Sequence, residues 1–137
     1  MTSAQARRRF AAAPVARLAT ADASGVPHVV PVVFALAADR IYSAVDDKPK
    51  KTAHLRRLRN VRANPPVALL VDHYEDDWQR LWWARADGTG RVLEPADAEA
   101  VNAVSLLAQR YPQYAGGPPR GPVLAVDVHR WSGWAAR

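Results

Sequence analysis

Short apolar runs separated by turn-forming residues make up much of the first third of the chain. The runs at 15–21, 26–36 and 41–45 are rich in valine, alanine and other small or β-branched residues, and the segments DASG and AADR lie between them. Runs of this kind, bounded by turns with aspartate or glycine, are typical of antiparallel strands joined by hairpins. The pattern therefore predicts a meander of three strands.

Two prolines interrupt the second of these predicted strands. Pro27 and Pro31 lie four residues apart, and a proline has no N–H group to donate to a neighbouring strand. Regular pairing on that side of the strand is therefore impossible. The strand is predicted to lie at an edge of the sheet, to be bulged or to face a ligand.

Three segments show the features of helices. Residues 4–13 are strong helix formers that follow Thr2 and Ser3 as possible caps. Residues 50–64 repeat leucine and valine at a spacing of three and end in prolines. Residues 96–111 repeat apolar side chains at helical spacing after an acidic first turn. We predict a short helix in each segment.

The remaining apolar runs predict strands in the second half of the chain. The segments 66–73, 78–86 and 123–129 have the length and composition of strands, and Asp87-Gly88 is predicted to form a hairpin turn. Six or seven antiparallel strands are expected in total, with two or three short helices. Strands of this kind close into a barrel or a sandwich, so the predicted fold class is mainly β with short helices (α+β).

Composition limits the class of protein. A chain of 137 residues is the usual size of one domain, so residues 1–137 are predicted to share a single core. The chain has no cysteine, which excludes disulfides, thiolate metal sites and a cysteine nucleophile. No apolar run approaches the roughly 20 residues of a membrane helix, and the N-terminus reads poorly as a signal peptide. We expect a cytoplasmic protein without a metal site or membrane association.

A basic segment after the third predicted strand is the strongest candidate for binding chemistry. Lys48, Lys50 and Lys51 lie in or beside the loop before the second helix, and Thr52 follows them. Lysines, a hydroxyl and the free N–H groups of a first helical turn can together cradle a phosphate. The alternative is a solvated cationic helix face, to which the later arginines of the helix would belong. The net charge of +6 favours polyanionic partners in either case.

Tryptophans mark a second candidate surface. If residues 78–86 form a strand, Trp78 and Trp82 share one face and Trp83 points to the other. Such side chains pack a core, fill a dimer interface or stack on a flat ligand, and Trp78 is the best ligand candidate because it lies at the junction of a turn and a strand. Trp131 and Trp134 are predicted to form a clasp over the barrel or over a partner subunit.

Other familiar constellations are absent from the sequence. The four histidines, His28, His54, His73 and His129, are far apart and lack the spacing of metal ligands, so structural roles are expected for them. The sequence also lacks the G-x-S-x-G, P-loop and G-x-G-x-x-G motifs, so hydrolase, kinase and Rossmann interpretations have no support. If the protein is an enzyme, a cofactor must carry the reaction.

The order of these features resembles a known family. The matching segments are ARLATADASGVPHVVPVVFAL (16–36), VDDKPKKTAHLRRLRNVRANPPVALLVD (45–72), DDWQRLWWARADGTGRVL (76–93) and RWSGW (130–134), which together cover nearly the whole chain. They are similar to the pyridoxamine 5'-phosphate oxidase-like split β-barrels, and specifically to their actinobacterial branch that uses the deazaflavin coenzyme F420. The resemblance implies an FMN-binding-like split β-barrel of six to seven antiparallel strands.

The resemblance also implies a homodimer with two coenzyme sites at the subunit interface. The coenzyme phosphate would be held by Lys48, Lys50, Lys51 and Thr52. The coenzyme ring would lie along two neighbouring strands, at Leu18, Ala19, Thr20, Val30, Pro31 and Val32. Four residues of the next strand would complete the ring pocket, namely Tyr42, Ser43, Ala44 and Val45. Trp78 would come from the other subunit.

The implied activity is hydride transfer from reduced coenzyme F420 to an unsaturated small-molecule acceptor, with Tyr42, Tyr74 or solvent as the proton donor. The surplus of lysine and arginine favours the acidic tail of this coenzyme over flavin mononucleotide. The alternatives are an FMN-binding oxidoreductase, a coenzyme-binding protein without turnover, and a heme- or biliverdin-binding protein with the same pocket. Nucleic-acid binding has the least support, since it rests only on the basic helix and the aromatic residues.

Overall fold

One antiparallel sheet and three helices form the described part of the protein. A computed structural model describes residues 1–45 and 52–137, of which residues 52–55 are described by their backbone alone. The helices are α1 (Ser3–Ala12), α2 (Thr52–Ala63) and α3 (Ala98–Arg110). The strands are β1 (Ala16–Ala21), β2 (Pro27–Val32), β3 (Ala35–Ala37), β4 (Arg40–Ala44), β5 (Pro66–His73), β6 (Trp82–Leu93) and β7 (Val123–Ala135). Within these ranges, no helix is long and apolar enough to cross a membrane.

The sheet curls into a split barrel. Its hydrogen-bonded order is β2-β1-β5-β6-β7-β4-β3, so the two end strands are β2 and β3. These strands are consecutive in the chain, with only Val33 and Phe34 between them. A connection of two residues holds the two ends of the sheet together, and the sheet must therefore bend round into a barrel that is open at this corner. The predicted fold class is confirmed.

The strand that contains the two prolines lies at an edge of the sheet, which was one of the three predicted alternatives. Pro27 and Pro31 lie in β2, at one end of the sheet, where one side of the strand needs no partner. The predicted single strand over 26–36 is wrong in its extent, because the chain leaves β2 after Val32 and begins β3 at Ala35. Phe34 turns its side chain fully into the core at this break.

Two predictions about the tryptophan-rich segment are also wrong. The strand begins at Trp82 and not at Trp78, because Trp78–Arg80 form a single 3₁₀ turn. The Asp77 carboxylate caps this turn by accepting a hydrogen bond from the Gln79 N–H at 3.1 Å. Trp78 and Trp82 therefore do not share the face of one strand.

Asp87 and Gly88 lie opposite a β-bulge and do not form the predicted hairpin turn. Strand β6 continues through them to Leu93, and Asp87 pairs with Arg130 while Gly88 pairs with Val128. Strand β7 thus contains one extra residue, His129, at this point. Because β6 is continuous, β7 pairs with it along its whole length and extends to Ala135, six residues beyond the predicted end of that strand.

An aromatic cluster packs α1 onto the core of the barrel. Phe10 of α1 lies 5.0 Å from Phe34 and 5.3 Å from Trp131 between ring centres. Trp131 is only 9% exposed and donates its Nε1–H to Asp39 at 3.0 Å, so it belongs to the core and is not an external clasp. Helix α1 begins at a capping box in which Thr2 accepts from the Gln5 N–H.

A charged network fastens α3 to the barrel. The Arg91 guanidinium donates two hydrogen bonds of 2.9 Å to Glu99 of α3 and also binds Asp127 of β7. The Tyr42 hydroxyl donates to Glu99 at 2.8 Å. The hydrogen bonds from Arg91 and Tyr42 lower the pKa of Glu99 to about 2. The hydrogen bonds to Glu99 and Asp127 raise the pKa of Arg91.

We expect the Glu99 contribution to stability to be lost in acid. A carboxylate whose folded-state pKa is lowered stabilises the fold above its ordinary pKa of 4.5 and loses that contribution as the pH falls towards 2. Glu99→Gln should lower the free energy of unfolding by about 1 kcal/mol at pH 7, and by clearly less at pH 3. Urea unfolding at both pH values measures the difference. Asp97→Asn is the control, because Asp97 makes no capping hydrogen bond; an equal loss at both pH values would contradict the assignment.

Candidate functional site

Helix α2 lies directly on the barrel through one face. Leu58 and Val61 are 2% and 1% exposed, and Gly90 of β6 gives the helix room. A Cβ atom at Gly90 would lie 2.8 Å from Val61 Cγ1, and the Gly90 N–H donates to the Pro65 carbonyl at 2.8 Å. Polar side chains on this face of α2 are therefore held against the sheet.

Arg57 is one of those polar side chains. It is 8% exposed, and its buried Nε has no hydrogen-bond partner. Burial lowers the pKa of this arginine, and no ion pair with a carboxylate forms in the part of the chain that the structure describes. A buried and unpaired guanidinium is costly unless an anion joins it. The structure therefore presents Arg57 as a site for a negatively charged group.

His28 of β2 is a second incompletely bonded group beside it. Its Nδ1 is buried without a hydrogen-bond partner. Burial and the charges of Arg56 and Arg57 lower the pKa of His28, so the imidazole is neutral at pH 7. A neutral imidazole can donate or accept one hydrogen bond without repelling Arg57. Besides Ser132 Oγ, these are the buried side-chain atoms that lack a partner in the described residues.

Two asparagines tie α2 to β1 at the same place. The Asn60 amide donates to the Thr20 hydroxyl at 3.1 Å, and both side chains are buried. The Asn64 amide donates to the Asp22 carbonyl at 3.3 Å. Thr20 is paired across the ladder with His28. The structure thus brings a cation, a neutral imidazole and a hydroxyl to the ends of β1 and β2, a set suited to a phosphate.

Of the predicted phosphate ligands, Lys48, Lys50 and Lys51 lie outside the described residues. Thr52 is the first residue of α2, and its side chain is likewise outside the description. Thr20, predicted as a ring contact, pairs with His28 and accepts a hydrogen bond from Asn60 of α2. The phosphate loop therefore stays a prediction, whereas the face of α2 that packs on the barrel is described from Arg56 onward.

Assigning the later arginines to a solvated helix face is wrong for Arg57. Arg56 and Arg59 are exposed, but Arg57 is buried. Arg57 precedes Val61 by four residues and therefore lies on the apolar stripe of the helix. The spacing that predicted the helix therefore also indicated that Arg57 is buried. Grouping it with the other positive charges of the segment hid this signal. His28 gave no such signal, because its environment comes from a distant helix.

The residues predicted to contact the coenzyme ring divide between the two faces of the sheet. Val30 and Val32 point into the barrel, where Val32 is 5% exposed, whereas Pro31 between them is exposed on the outer face. Ser43 and Ala44 are buried in β4 and pair with Leu124 and Val123 of β7.

The aromatic candidates occupy very different environments. Trp78 is 76% exposed and Tyr74 is 64% exposed. The Tyr42 hydroxyl is committed to Glu99, and burial together with that carboxylate raises its pKa. Tyr74 therefore has the freer hydroxyl of the two proposed proton donors. Among the described residues, His, Asp and Glu side chains form no group of three that could hold a metal ion.

A family profile matches almost the entire chain. The profile described as pyridoxamine 5'-phosphate oxidase covers residues 2–135. The chain belongs to this family. The family assignment confirms the broader part of the sequence-based expectation, a pyridoxamine 5'-phosphate oxidase-like split barrel, while the branch within the family is a separate question.

Solved structures share the fold of this pyridoxamine 5'-phosphate oxidase family member at low sequence identity. A FAD-binding protein from Mesorhizobium loti is 20% identical with a TM-score of 0.72, over 97% of this chain and 94% of that one. The heme storage protein from Vibrio cholerae is 16% identical with a TM-score of 0.74, over 98% and 95% of the two chains. A conserved hypothetical protein from Mycobacterium tuberculosis is 19% identical with a TM-score of 0.75, over 100% and 86%. No curated protein sequence matches the chain.

Proposed function

We propose that this protein is a cytoplasmic oxidoreductase that binds coenzyme F420 and transfers hydride from its reduced form to an unsaturated small-molecule acceptor. The observation that carries the proposal is the buried guanidinium of Arg57, whose Nε has no hydrogen-bond partner among the residues that the structure describes. In a family of flavin-binding barrels, such a group calls for the phosphate of a coenzyme.

The residues at this site fit a phosphate-bearing coenzyme. Arg57 supplies a cation, and Thr20 has a hydroxyl hydrogen free to donate while it accepts from Asn60. His28 Nδ1 and Arg57 Nε are buried atoms that still need partners. We propose that Lys48, Lys50, Lys51 and Thr52, which precede Arg57 in sequence, hold the phosphate from the side of the loop.

The coenzyme, when bound, supplies the hydride chemistry. The chain itself supplies an apolar wall, for which we propose the strand backbone at Val30, Pro31 and Val32 of β2 and at Ser43 and Ala44 of β4. These residues exclude water and orient the acceptor. Trp78 is exposed on a single turn and is proposed to cover the ring bound in a partner subunit. A proton would come from Tyr74 or from solvent, since the Tyr42 hydroxyl is engaged.

The choice of F420 over other flavin-type coenzymes rests on charge. The chain carries 19 basic and 13 acidic side chains, and coenzyme F420 has an acidic tail that flavin mononucleotide lacks. The excess of positive charge attracts the more acidic coenzyme more strongly. Flavin mononucleotide is the second candidate, favoured by the family assignment and by the shared fold with a FAD-binding protein.

The test is a titration of the purified protein with coenzyme F420, flavin mononucleotide and heme, followed by tryptophan fluorescence. We expect F420 to bind about tenfold more tightly than flavin mononucleotide, and Lys50→Ala/Lys51→Ala to weaken that binding. Protein loaded with reduced F420 should then oxidise it when unsaturated acceptors are added. Tighter binding of flavin mononucleotide would move the protein to the flavin branch, and binding of heme alone would refute the oxidoreductase proposal.

We also propose that the protein is a homodimer through the outer face of the sheet. Val29, Leu70 and Trp134 are 60%, 36% and 44% exposed on this side. In the ladder, Val29 is opposite Ala19, which is opposite Ala68, so small apolar side chains continue inward from Val29. Leu70 lies between Arg17 and Arg85, so the face combines exposed apolar side chains with arginines, a composition found in protein interfaces. A second copy fits it because the two faces would be identical.

Leu70→Arg should therefore produce a monomer. The new side chain places a charge in the centre of the proposed interface, beside Arg85, its ladder neighbour. Sedimentation velocity measures the result, and a loss of coenzyme affinity should accompany the loss of the dimer. Val101→Arg is the matched control, because Val101 is 59% exposed on α3, away from this face. An unchanged dimer in Leu70→Arg, or a monomeric wild type, would reject the interface.

A further inference from the structure

A groove of positive charge runs between α1 and the paired ends of β6 and β7. Two adjoining cavities of about 400 and 520 Å³ share Arg9 as a lining residue. Arg80 lines the first cavity and Arg8 lines the second. None of the described residues that line either cavity is acidic. The groove is therefore a concentrated region of positive potential with room for more than one anionic group.

The packing of α1 holds the backbone positions of Arg8 and Arg9. The guanidinium carbon of Arg9 lies 4.9 Å from the centre of the Trp82 ring, a cation–π contact. Helix α1 is anchored by the buried Phe10 and lies so close to β7 that a Cβ on Gly133 would be 3.3 Å from the Cβ of Ala6. The positions of Arg8 and Arg9 are thus set by the packing of a helix and not by a loose tail.

The arginines of the groove are poorly neutralised. Within the described part of the chain, Arg8 and Arg9 form no ion pair. Arg80 lies 3.5 Å from Glu75, but this carboxylate is shared with His73 and Arg80 is exposed. Exposed pairs of this geometry are weak, so Arg80 can exchange Glu75 for a ligand. The residual charge of the groove is therefore available to a partner.

This groove is separate from the Arg57 site. His73, which lines it, is five residues from Ala68 along β5, and Ala68 pairs with Ala19, next to Thr20. An extended chain rises about 3.3 Å per residue, so the two sites are on the order of 15 Å apart along the strand. An anion in the groove therefore cannot at the same time be the group that pairs with Arg57.

We propose that the groove binds a small, multiply charged anion that carries two or more phosphate or carboxylate groups. A single inorganic phosphate would fill only a fraction of the two cavities, whereas a chain of anionic groups can contact Arg80, Arg9 and Arg8 in turn. The proposal is independent of the coenzyme site. It assigns a function to the arginine run of α1, which the coenzyme-binding function leaves unused.

Isothermal titration calorimetry with tripolyphosphate and with triglutamate tests the proposal and distinguishes the two kinds of anion. We expect one-to-one binding of at least one probe, and about tenfold weaker binding to Arg8→Gln/Arg80→Gln. This variant keeps the Arg9–Trp82 contact and changes only exposed side chains. Arg40→Gln is the matched control, since Arg40 is an exposed arginine on β4, and binding to it should be unchanged.

Three results would overturn the proposal. Binding of neither probe would leave the groove without a ligand of this class. An equal loss of probe affinity in Arg40→Gln would show that the probe is attracted by the net charge of the protein and not by the groove. A loss of probe affinity in Arg57→Gln, with normal binding to Arg8→Gln/Arg80→Gln, would place the anion at the coenzyme site. That result would not contradict the proposed oxidoreductase function.

Discussion

Arg57→Gln is expected to weaken coenzyme binding about a hundredfold without unfolding the protein. Removing one partner of a buried charge pair costs roughly 2–5 kcal/mol of binding free energy, and Arg57 would pair with the coenzyme phosphate. In the free protein, the same change removes a buried charge that has no partner in the described residues. The melting temperature without coenzyme should therefore stay the same or rise.

Fluorescence titration and thermal unfolding of the same variant separate the two effects. Arg59→Gln is the matched control, because it removes the same charge from an exposed position of α2, and its coenzyme affinity should stay within a few fold of the wild type. The pKa of His28, measured by NMR, should rise in Arg57→Gln, since the charge of Arg57 is one of the causes that lower it. Normal coenzyme affinity in Arg57→Gln would remove the basis of the proposed site.

The largest effect on stability is expected from Gly88→Ala. A Cβ atom at this position would lie 2.3 Å from the Asp127 carbonyl oxygen and 2.9 Å from Val126 Cγ1. The first of these atoms belongs to the backbone of the neighbouring strand, so it cannot move aside without breaking the ladder at the bulge. We expect a loss of roughly 3 kcal/mol in the free energy of unfolding, and a melting temperature lower by about 10 °C.

Gly116→Ala serves as its control, since nothing lies within 4 Å of a Cβ atom there. Its stability should stay within about 0.5 kcal/mol of the wild type. Differential scanning calorimetry of both variants gives the comparison. If Gly88→Ala unfolds at the temperature of the wild type, then the close approach of β6 and β7 at the bulge does not exist in solution.

The bulge also shows where local sequence reasoning fails. Asp-Gly between two apolar runs is a strong signal for a hairpin turn, and the prediction placed one at Asp87-Gly88. Glycine is required there for a different reason, namely the approach of the Asp127 carbonyl. A dipeptide cannot report which distant strand lies against it, so the same two residues fit a turn and a bulge equally well.

The fold class, by contrast, was predictable because its determinants are local. β-Branched runs with period-two burial, the prolines of β2 and the helical spacing of α2 and α3 act within about ten residues of chain. The family resemblance was also carried by the order of these local segments. The branch of the family and the identity of the coenzyme lie beyond what such segments determine.

Arg57 and His28 show which properties the sequence alone determines and which depend on the tertiary structure. The sequence alone determined that α2 is a helix with an apolar stripe, and the stripe already included Arg57. Only the tertiary structure decided that this stripe covers the ends of β1 and β2, where Asn60 binds Thr20 and Thr20 pairs with His28. The physical reason is that desolvation depends on every atom packed around a group. The same arginine is an ordinary surface charge on an isolated helix and becomes the proposed anion site only when the barrel removes its water.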